Sequence, residues 1–400
     1  MVVGTGPAGL AAVLALAAVG VRVQAVGPPP PDSTKDTRTA ALFGGSISFL
    51  RNLGAWDDCP GAAPLNAIRL IDDTGGLLKA PEVLFEAADI GQETLGFNVP
   101  NAGLTEKLWQ AVSEHPRVEV RPTRAVVHVA IEDRGVRLRT AEGDELTAPL
   151  AVAADGRNSI CRSAAAIATR SWSDDQSAIA ATFGHDRPHR SISTEFHRPN
   201  GPLTTVPMPG LASSLVWVER ASVAAQLMAL DDTQFARALG ERLQGLLGKI
   251  DSVGPRRMFP LSGMVADRFS AGRIALVGEA AHVMPPIGAQ GLNLSFRDAA
   301  AIAECVAGAA ADLGGEAAAA LLSRYDAMRR ADVVSRSTAV DALNRSLVSG
   351  YLPMNLARGL GLHLVRGIPL LKRELIRQGL QSVGPRLALM QHGGAGLLAA

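Results

Sequence analysis

The stretch Gly278 to Asn293, reading GEAAHVMPPIGAQGLN, leaves this chain few ways to fold. An apolar strand, Arg273 to Val277, runs into a Gly-acid turn, and the loop behind it is too rich in Pro and Gly to continue as helix or strand. From Asn293 an Ala-rich segment reads as a long helix reaching Asp312. One carboxylate, one rigid proline corner and one helix amino terminus therefore arrive at a single place. A cofactor with a polyol, a planar ring and a developing negative charge uses all three. The carboxylate accepts hydroxyl hydrogen bonds, the prolines and glycines let a ring approach the backbone, and the helix start stabilises an anion. That description fits reduced FAD; a Gly/Pro-rich surface loop is the plain alternative.

The amino end supplies a second signal. Met1-Val2-Val3 ends an apolar strand, and Gly4-Thr5-Gly6-Pro7-Ala8-Gly9 comes next as a GxGxxG turn. Gly4 makes the tight turn, Gly6 lets backbone approach a pyrophosphate and Gly9 allows close helix packing. The helix from Pro7 runs to Val19 and stops at Gly20, and Val21 to Val26 alternates as a second strand. A Gly-containing helical hairpin is the competing reading. Met1 to Val21 carries no charge, which invites a membrane span or signal peptide, yet there is no basic leader and glycines stand at Gly4, Gly6 and Gly9. The first strand is short, so a misplaced start codon or a trimmed strand is an expectation here. The acid expected at the end of the second strand, for the adenosine ribose, is replaced by Gly27 and four prolines. Either backbone and water hold that ribose, or Asp32 reaches back.

Four hundred residues favour two intertwined domains. A formal net charge of +1 gives no basic surplus of the kind nucleic-acid binding requires, and 4% aromatics leave no stacking platform. Cys59, Cys161 and Cys305 are scattered without metal spacing, which suits a reducing compartment rather than a disulfide scaffold.

The spacing of Gly278, Glu279, His282, Pro286, Gly288, Gly291 and Asn293 resembles the second FAD fingerprint of the flavoprotein aromatic hydroxylases, the para-hydroxybenzoate hydroxylase superfamily. Within it the chain is most similar to the ubiquinone-biosynthesis hydroxylases. The superfamily usually has Asp where Glu279 stands, so the carboxylate here reaches one methylene further. Two more motifs join it. Arg38-Thr-Ala-Ala-Leu42, a helix over Ser46 to Leu53 and Leu53-Gly-Ala-Trp56 resemble the segment after the first βαβ unit, which makes Arg38 a candidate contact for the flavin and its phosphates, or else a surface arginine. A strand ending in Asp155-Gly156, with Ser159 and Arg162 beyond, resembles the third hallmark and assigns Asp155 to the pyrophosphate and pyridine-nucleotide region; a plain Asp-Gly turn is the alternative.

The resemblance covers nearly the whole chain and implies an α/β fold. Residues 1–65, 101–176 and 266–325 form a Rossmann-like FAD-binding domain, 66–100 and 177–265 an interleaved mainly β substrate domain with one helix at Asp232 to Leu247, and 326–400 a helical carboxyl-terminal region. It also implies a cycle in which NADPH or NADH reduces FAD, O2 adds to give a flavin hydroperoxide, and the distal oxygen passes to the ring of a polyprenyl phenol in ubiquinone biosynthesis. The helix start, with the N–H groups of Leu292 and Asn293, faces the flavin's pyrimidine edge, and Pro286 borders the ring where substrate sits. The phenol-activating group does not carry over, since neither Tyr325 nor Tyr351 matches a family tyrosine. His282 is structural in the family. His185, His189 and His197 lack zinc spacing and read as surface histidines. Leu352 to Leu380 is basic and amphipathic, and either packs on the FAD domain or meets a membrane surface or biosynthetic partner; the protein is expected to be cytoplasmic, and peripheral to the inner membrane in the second case. A prenyl reductase and a non-catalytic flavin-binding scaffold are the competing functions, and the Trp-x-Trp-x-x-Pro of halogenases is absent.

Overall fold

A computed structural model describes residues 1–30, 36–57, 59–75, 81–285, 290–307, 313–348, 363, 365, 367–380 and 386–394. Among these residues the strands form a six-stranded sheet, a nine-stranded sheet and two three-stranded sheets. The six-stranded sheet runs Ser270–Ala271, Ile274–Leu276, Ala151–Ala153, Val2–Val3, Val23–Gly27, Val118–Pro122, parallel except at its first pair. Its central strands are apolar along their length because helices cover them. The helix Pro7–Ala18 is buried from Gly9 to Ala17, and its small side chains let it pack closely on the helices Asn101–Glu114 and Gln290–Ala307. The chain is thus α/β, with a Rossmann-like sheet, a mainly β layer and a helical carboxyl-terminal region that includes Ala317–Val348 and Pro369–Leu380.

The nine-stranded sheet is built on Thr169–His185, which pairs with Ala212–Arg220 on one side and Arg257–Ala266 on the other. A division at 176/177 falls inside that strand, and one at 325/326 falls inside the 32-residue helix Ala317–Val348. Residues 66–100 divide between two sheets: Ala67–Asp72 and Val83–Glu86 join the large one, whereas Gly96–Pro100 pairs with Thr39–Phe43 and Ala63–Leu65. One face of the large sheet carries Ile179, Leu203, Leu215 and Trp217 against two helices, Ala221–Ala229 and Asp232–Arg242. Sequence pattern alone predicts one helix there. Ala221–Ala229 escapes it because no breaker separates the helix from the strand ending at Arg220, and Asp232–Arg242 stops short of Leu247.

The three histidines are also corrected. His185 is fully buried, with Nε2 2.9 Å from Ser213 Oγ and Nδ1 2.9 Å from the Arg187 carbonyl. His197 is buried with Nε2 2.9 Å from Glu195, and His189 is half-buried and bonds the Met208 carbonyl. His185 and His197 lie on or at the end of strands whose alternate residues point into the layer, a placement that metal-spacing arguments do not address.

Candidate active site

Three neighbouring parallel strands end in register. Val3 pairs with Ala153, and Ala153 with Leu276. The three turns beyond these strands, Gly4 to Gly9, Asp155-Gly156 and Gly278-Glu279, therefore emerge on one edge. Carboxyl ends of parallel strands are where α/β sheets hold ligands, and adjacent strands are about 4.8 Å apart. Three motifs separated by over a hundred residues thereby become one surface.

The glycines divide by purpose. Gly4 has φ +108°, and a Cβ there would lie 2.2 Å from the Ala154 carbonyl oxygen; one on Gly9 would lie 2.0 Å from the Gly4 oxygen. The fold itself requires both. Gly6 differs: its angles, φ −73° and ψ 175°, suit any residue, and a Cβ would meet no protein atom within 4 Å. The space in front of Gly6 is a cradle that a side chain would fill. Pro7 opens the helix without an N–H to satisfy, and Ala8 packs beside Gly278, where an added Cβ would come within 3.1 Å of it.

Glu279 projects to solvent between buried Gly278 and Ala280. Asp155 Oδ2 accepts the Cys161 N–H at 3.1 Å and so orders the turn into the helix Ile160–Ala164. Its Oδ1 is buried with no hydrogen-bond partner, an acceptor awaiting a donor. An open glycine cradle at a helix start, an exposed carboxylate and an orphaned acceptor on one edge fit the pyrophosphate and hydroxyls of FAD. The missing ribose acid has a steric reason: a Cβ at Gly27 would lie 2.8 Å from Thr5 Oγ1, which donates to the Pro28 carbonyl. Asp32 lies outside the described residues.

Arg38 pairs with Asp36 at 2.8 Å and stands over the Phe259 ring at 5.9 Å. The Asp36 hydrogen bond holds its pKa above the usual value against partial burial, and the charges of Asp36 and Glu279 act in the same direction. Arg38 is therefore within electrostatic reach of the edge, though its guanidinium is engaged by Asp36.

The helix expected from Asn293 begins at Gln290 and ends among the described residues at Ala307. A helix presents its N–H groups in its first turn, and Gly291 and Leu292 stand in the first described turn. Asn293 acts through its side chain: Oδ1 accepts from Phe43 N–H at 3.1 Å and Ser46 Oγ at 2.7 Å, and Nδ2 donates to Ala41 O at 2.8 Å. Pro286 and Gly288 lie outside the described residues, as does Tyr351. Tyr325 is buried and donates to the Leu276 carbonyl at 2.6 Å, which makes it a structural residue.

Asn293 leads to the second layer. The strand it grips, Thr39–Phe43, reaches the nine-stranded sheet through Thr39 Oγ1 and Ser214 Oγ at 2.9 Å, and neighbouring Asn98 donates to the Pro207 carbonyl at 2.9 Å. This contact fixes which face of the large sheet looks at the strand-end edge. Alternation and register put Ala178, Ala180, Thr204, Val206, Val216 and Val218 on the Ser214 face. Ala180, Thr204, Val206 and Val216 stay partly exposed, so a roof of small, mostly apolar side chains stands over the edge.

Sequence reasoning missed the support beneath. His282 Nε2 lies 2.7 Å from Asp298, whose other oxygen takes the Arg329 guanidinium at 2.6 Å; Arg329 continues to Asp332 at 2.8 Å, and Asp332 to Arg336 at 3.1 Å. Asp298 also accepts the Gly278 N–H at 2.9 Å. Burial opposes ionisation of Asp298, but His282, Arg329 and these hydrogen bonds hold its carboxyl below the usual range. The signal available in sequence was charge at i, i+3 and i+7, Arg329, Asp332 and Arg336, on one helix face.

A Rossmann-like sheet with three motifs on one edge and an apolar β roof defines a flavin-dependent monooxygenase fold. The FAD binding domain family model matches residues 1–339. The ubiquinone hydroxylase UbiL of Rhodospirillum rubrum is 34% identical over 401 residues, covering 98% of this chain and 92% of the relative. The 3-demethoxyubiquinol 3-hydroxylase of Escherichia coli is 28% identical, covering 95% and 97%. The crystal structure of p-nitrophenol 4-monooxygenase from Pseudomonas putida superposes with a TM-score of 0.77 at 20% identity, covering 96% and 98%, a likeness of fold. The chain belongs to the FAD binding domain family and, within it, to the ubiquinone-biosynthesis hydroxylases, and it is an FAD-dependent aromatic hydroxylase that uses NAD(P)H.

Proposed function

We propose that this protein hydroxylates the ring of a polyprenyl phenol in ubiquinone biosynthesis, with FAD held along the strand-end edge and the phenol between that edge and the apolar roof. The observation that carries the reading is Gly6, a glycine the fold does not need, facing open space at a helix start on the edge where Asp155 and Glu279 also emerge. When bound, FAD supplies two-electron reduction by NADPH or NADH and the activation of O2. The protein holds, orients and shields. Gly6 and the helix start at Pro7 receive the pyrophosphate, Asp155 and Glu279 accept hydroxyl hydrogen bonds, and Gly291 and Leu292 offer N–H groups to the pyrimidine edge. Pro286 and Gly288 belong to the same proposed set, with Arg38 close by. Ala178, Ala180, Val216 and Val218 exclude water from the phenol ring, which strengthens electrostatic interactions inside.

The helix Pro369–Leu380 supports a peripheral membrane contact for an apolar substrate. Lys372 pairs with Asp89 at 2.6 Å and Ile376 packs on Ala87 and Leu95, while Leu370 is 75% exposed on the outer side with Arg373 and Arg377. Among the described residues no helix is long and apolar enough to cross a membrane. A cytoplasmic protein resting on the inner membrane agrees with this reading.

The test is Gly6→Val. Because a Cβ at Gly6 meets no protein atom within 4 Å, the variant folds with the thermal stability of the FAD-free wild type and loses flavin; normal flavin content in the variant overturns the proposed binding edge.

A further inference from the structure

The buried ion pairs form a continuous path between two segments of the flavin edge. One end is the Gly278 N–H on Asp298, in the turn that carries Glu279. The path runs through Asp298, Arg329 and Asp332 to Arg336, whose Nη1 donates to Gln290 Oε1 at 3.0 Å. Gln290 is the first described residue of the helix Gln290–Ala307. Arg329, Asp332 and Arg336 are 3%, 1% and 7% exposed, and the single carboxylate of Asp332 is shared among Arg329, Arg336 and, at 3.7 Å, Arg297.

We propose that Arg336 is a positioning residue that sets the electron affinity of the bound flavin, by fixing Gln290 and placing a buried cation behind the helix start. The inference rests on the FAD reading above. A buried ion network is a poor device for stability alone, since apolar packing of similar volume often serves as well. A low-dielectric interior, however, carries a fixed charge far. Arg336 acts on its neighbours: burial first, and then the Arg336 charge, push the Arg297 guanidinium down to about 10 against the pull of Asp332. The two-electron reduced ring bears more negative charge than the oxidised one, so an ordered helix terminus backed by a cation favours reduction.

The experiment is the midpoint potential of bound FAD, read by equilibration with a reference dye. Arg336→Met shifts the reduced-to-oxidised ratio at least tenfold toward oxidised, about 30 mV more negative for a two-electron couple. Arg336→Lys, which keeps the charge without the fork, and Gln290→Leu, which cuts the bond and keeps the charge, each give a smaller shift of the same sign. Flavin-loaded Arg336→Met with the wild-type potential overturns the proposal and leaves the FAD reading intact. Should Arg336→Met not fold or not retain flavin, wild-type potentials in both other variants overturn it. Wild-type protein that takes up no FAD overturns the FAD reading and this one together.

Discussion

Gly4, Gly6 and Gly9 look alike in sequence and differ in what they serve. Gly9→Ala forces a methyl onto the Gly4 carbonyl, so soluble folded protein falls sharply, as circular dichroism and thermal melts report. Gly6→Ala without FAD melts like the FAD-free wild type and holds FAD at least tenfold more weakly, as flavin fluorescence titration reports. Glu279→Ala, which removes a charged acceptor worth about 1.5–3 kcal/mol per hydrogen bond, weakens FAD by roughly tenfold to a hundredfold with little change in melting; full flavin affinity in that variant contradicts its role. The GxGxxG turn and the Asp-Gly turn were legible in the chain because backbone geometry limits such positions to a few residue types. The partners of Asn293 were not, since Ala41, Phe43 and Ser46 lie some two hundred and fifty residues earlier and nothing local marks them.

The helices Gln290–Ala307 and Ala317–Val348 are held together by their buried charges as well as by apolar contact. Asp298→Asn leaves Arg329 short of its counter-ion and costs about 3–5 kcal/mol, measured by denaturant unfolding. The pH dependence comes from the depressed carboxyls of Asp298 and Asp332. Their folded pKa values lie below the ordinary 3.8, so their stabilisation is complete above that pH and is lost as pH falls through the folded values. Acid unfolding of the wild type therefore steepens below about pH 4, and Asp298→Asn flattens that limb. An unchanged acid limb would mean that Asp298 does not stabilise the fold through its charge. At the carboxyl end, Leu370→Glu places a charge on the exposed side of Pro369–Leu380; cosedimentation with anionic vesicles drops severalfold if that side meets lipid, and holds steady if it does not. Helix periods and caps gave these elements their approximate places in sequence. The strand-to-helix junction at Arg220 was not readable, because tertiary pairing decides it.

Across the whole molecule a parallel sheet and a larger mixed sheet are joined through the strand Thr39–Phe43. The strand, helix and strand around the GxGxxG turn pointed to a Rossmann-like unit, and the resemblance supplied the order of the interleaved segments. Which face of the large sheet looks at the strand-end edge was hidden, because it depends on Thr39 and Asn98 meeting Ser214 and Pro207 across the chain. That face is small and apolar, which suits a ring with a hydrocarbon tail. Val216→Asp buries an unpaired charge against the ring and raises the KM for a prenylated phenol at least tenfold without loss of flavin, read by steady-state kinetics. Ring hydroxylation itself is best tested by the fate of isotopically labelled O2 in FAD-loaded protein given NADPH and a prenylated phenol. One labelled oxygen atom is expected in the phenol product for each NADPH consumed; NADPH consumption with the label only in peroxide or water, and no hydroxylated phenol, contradicts the proposed activity.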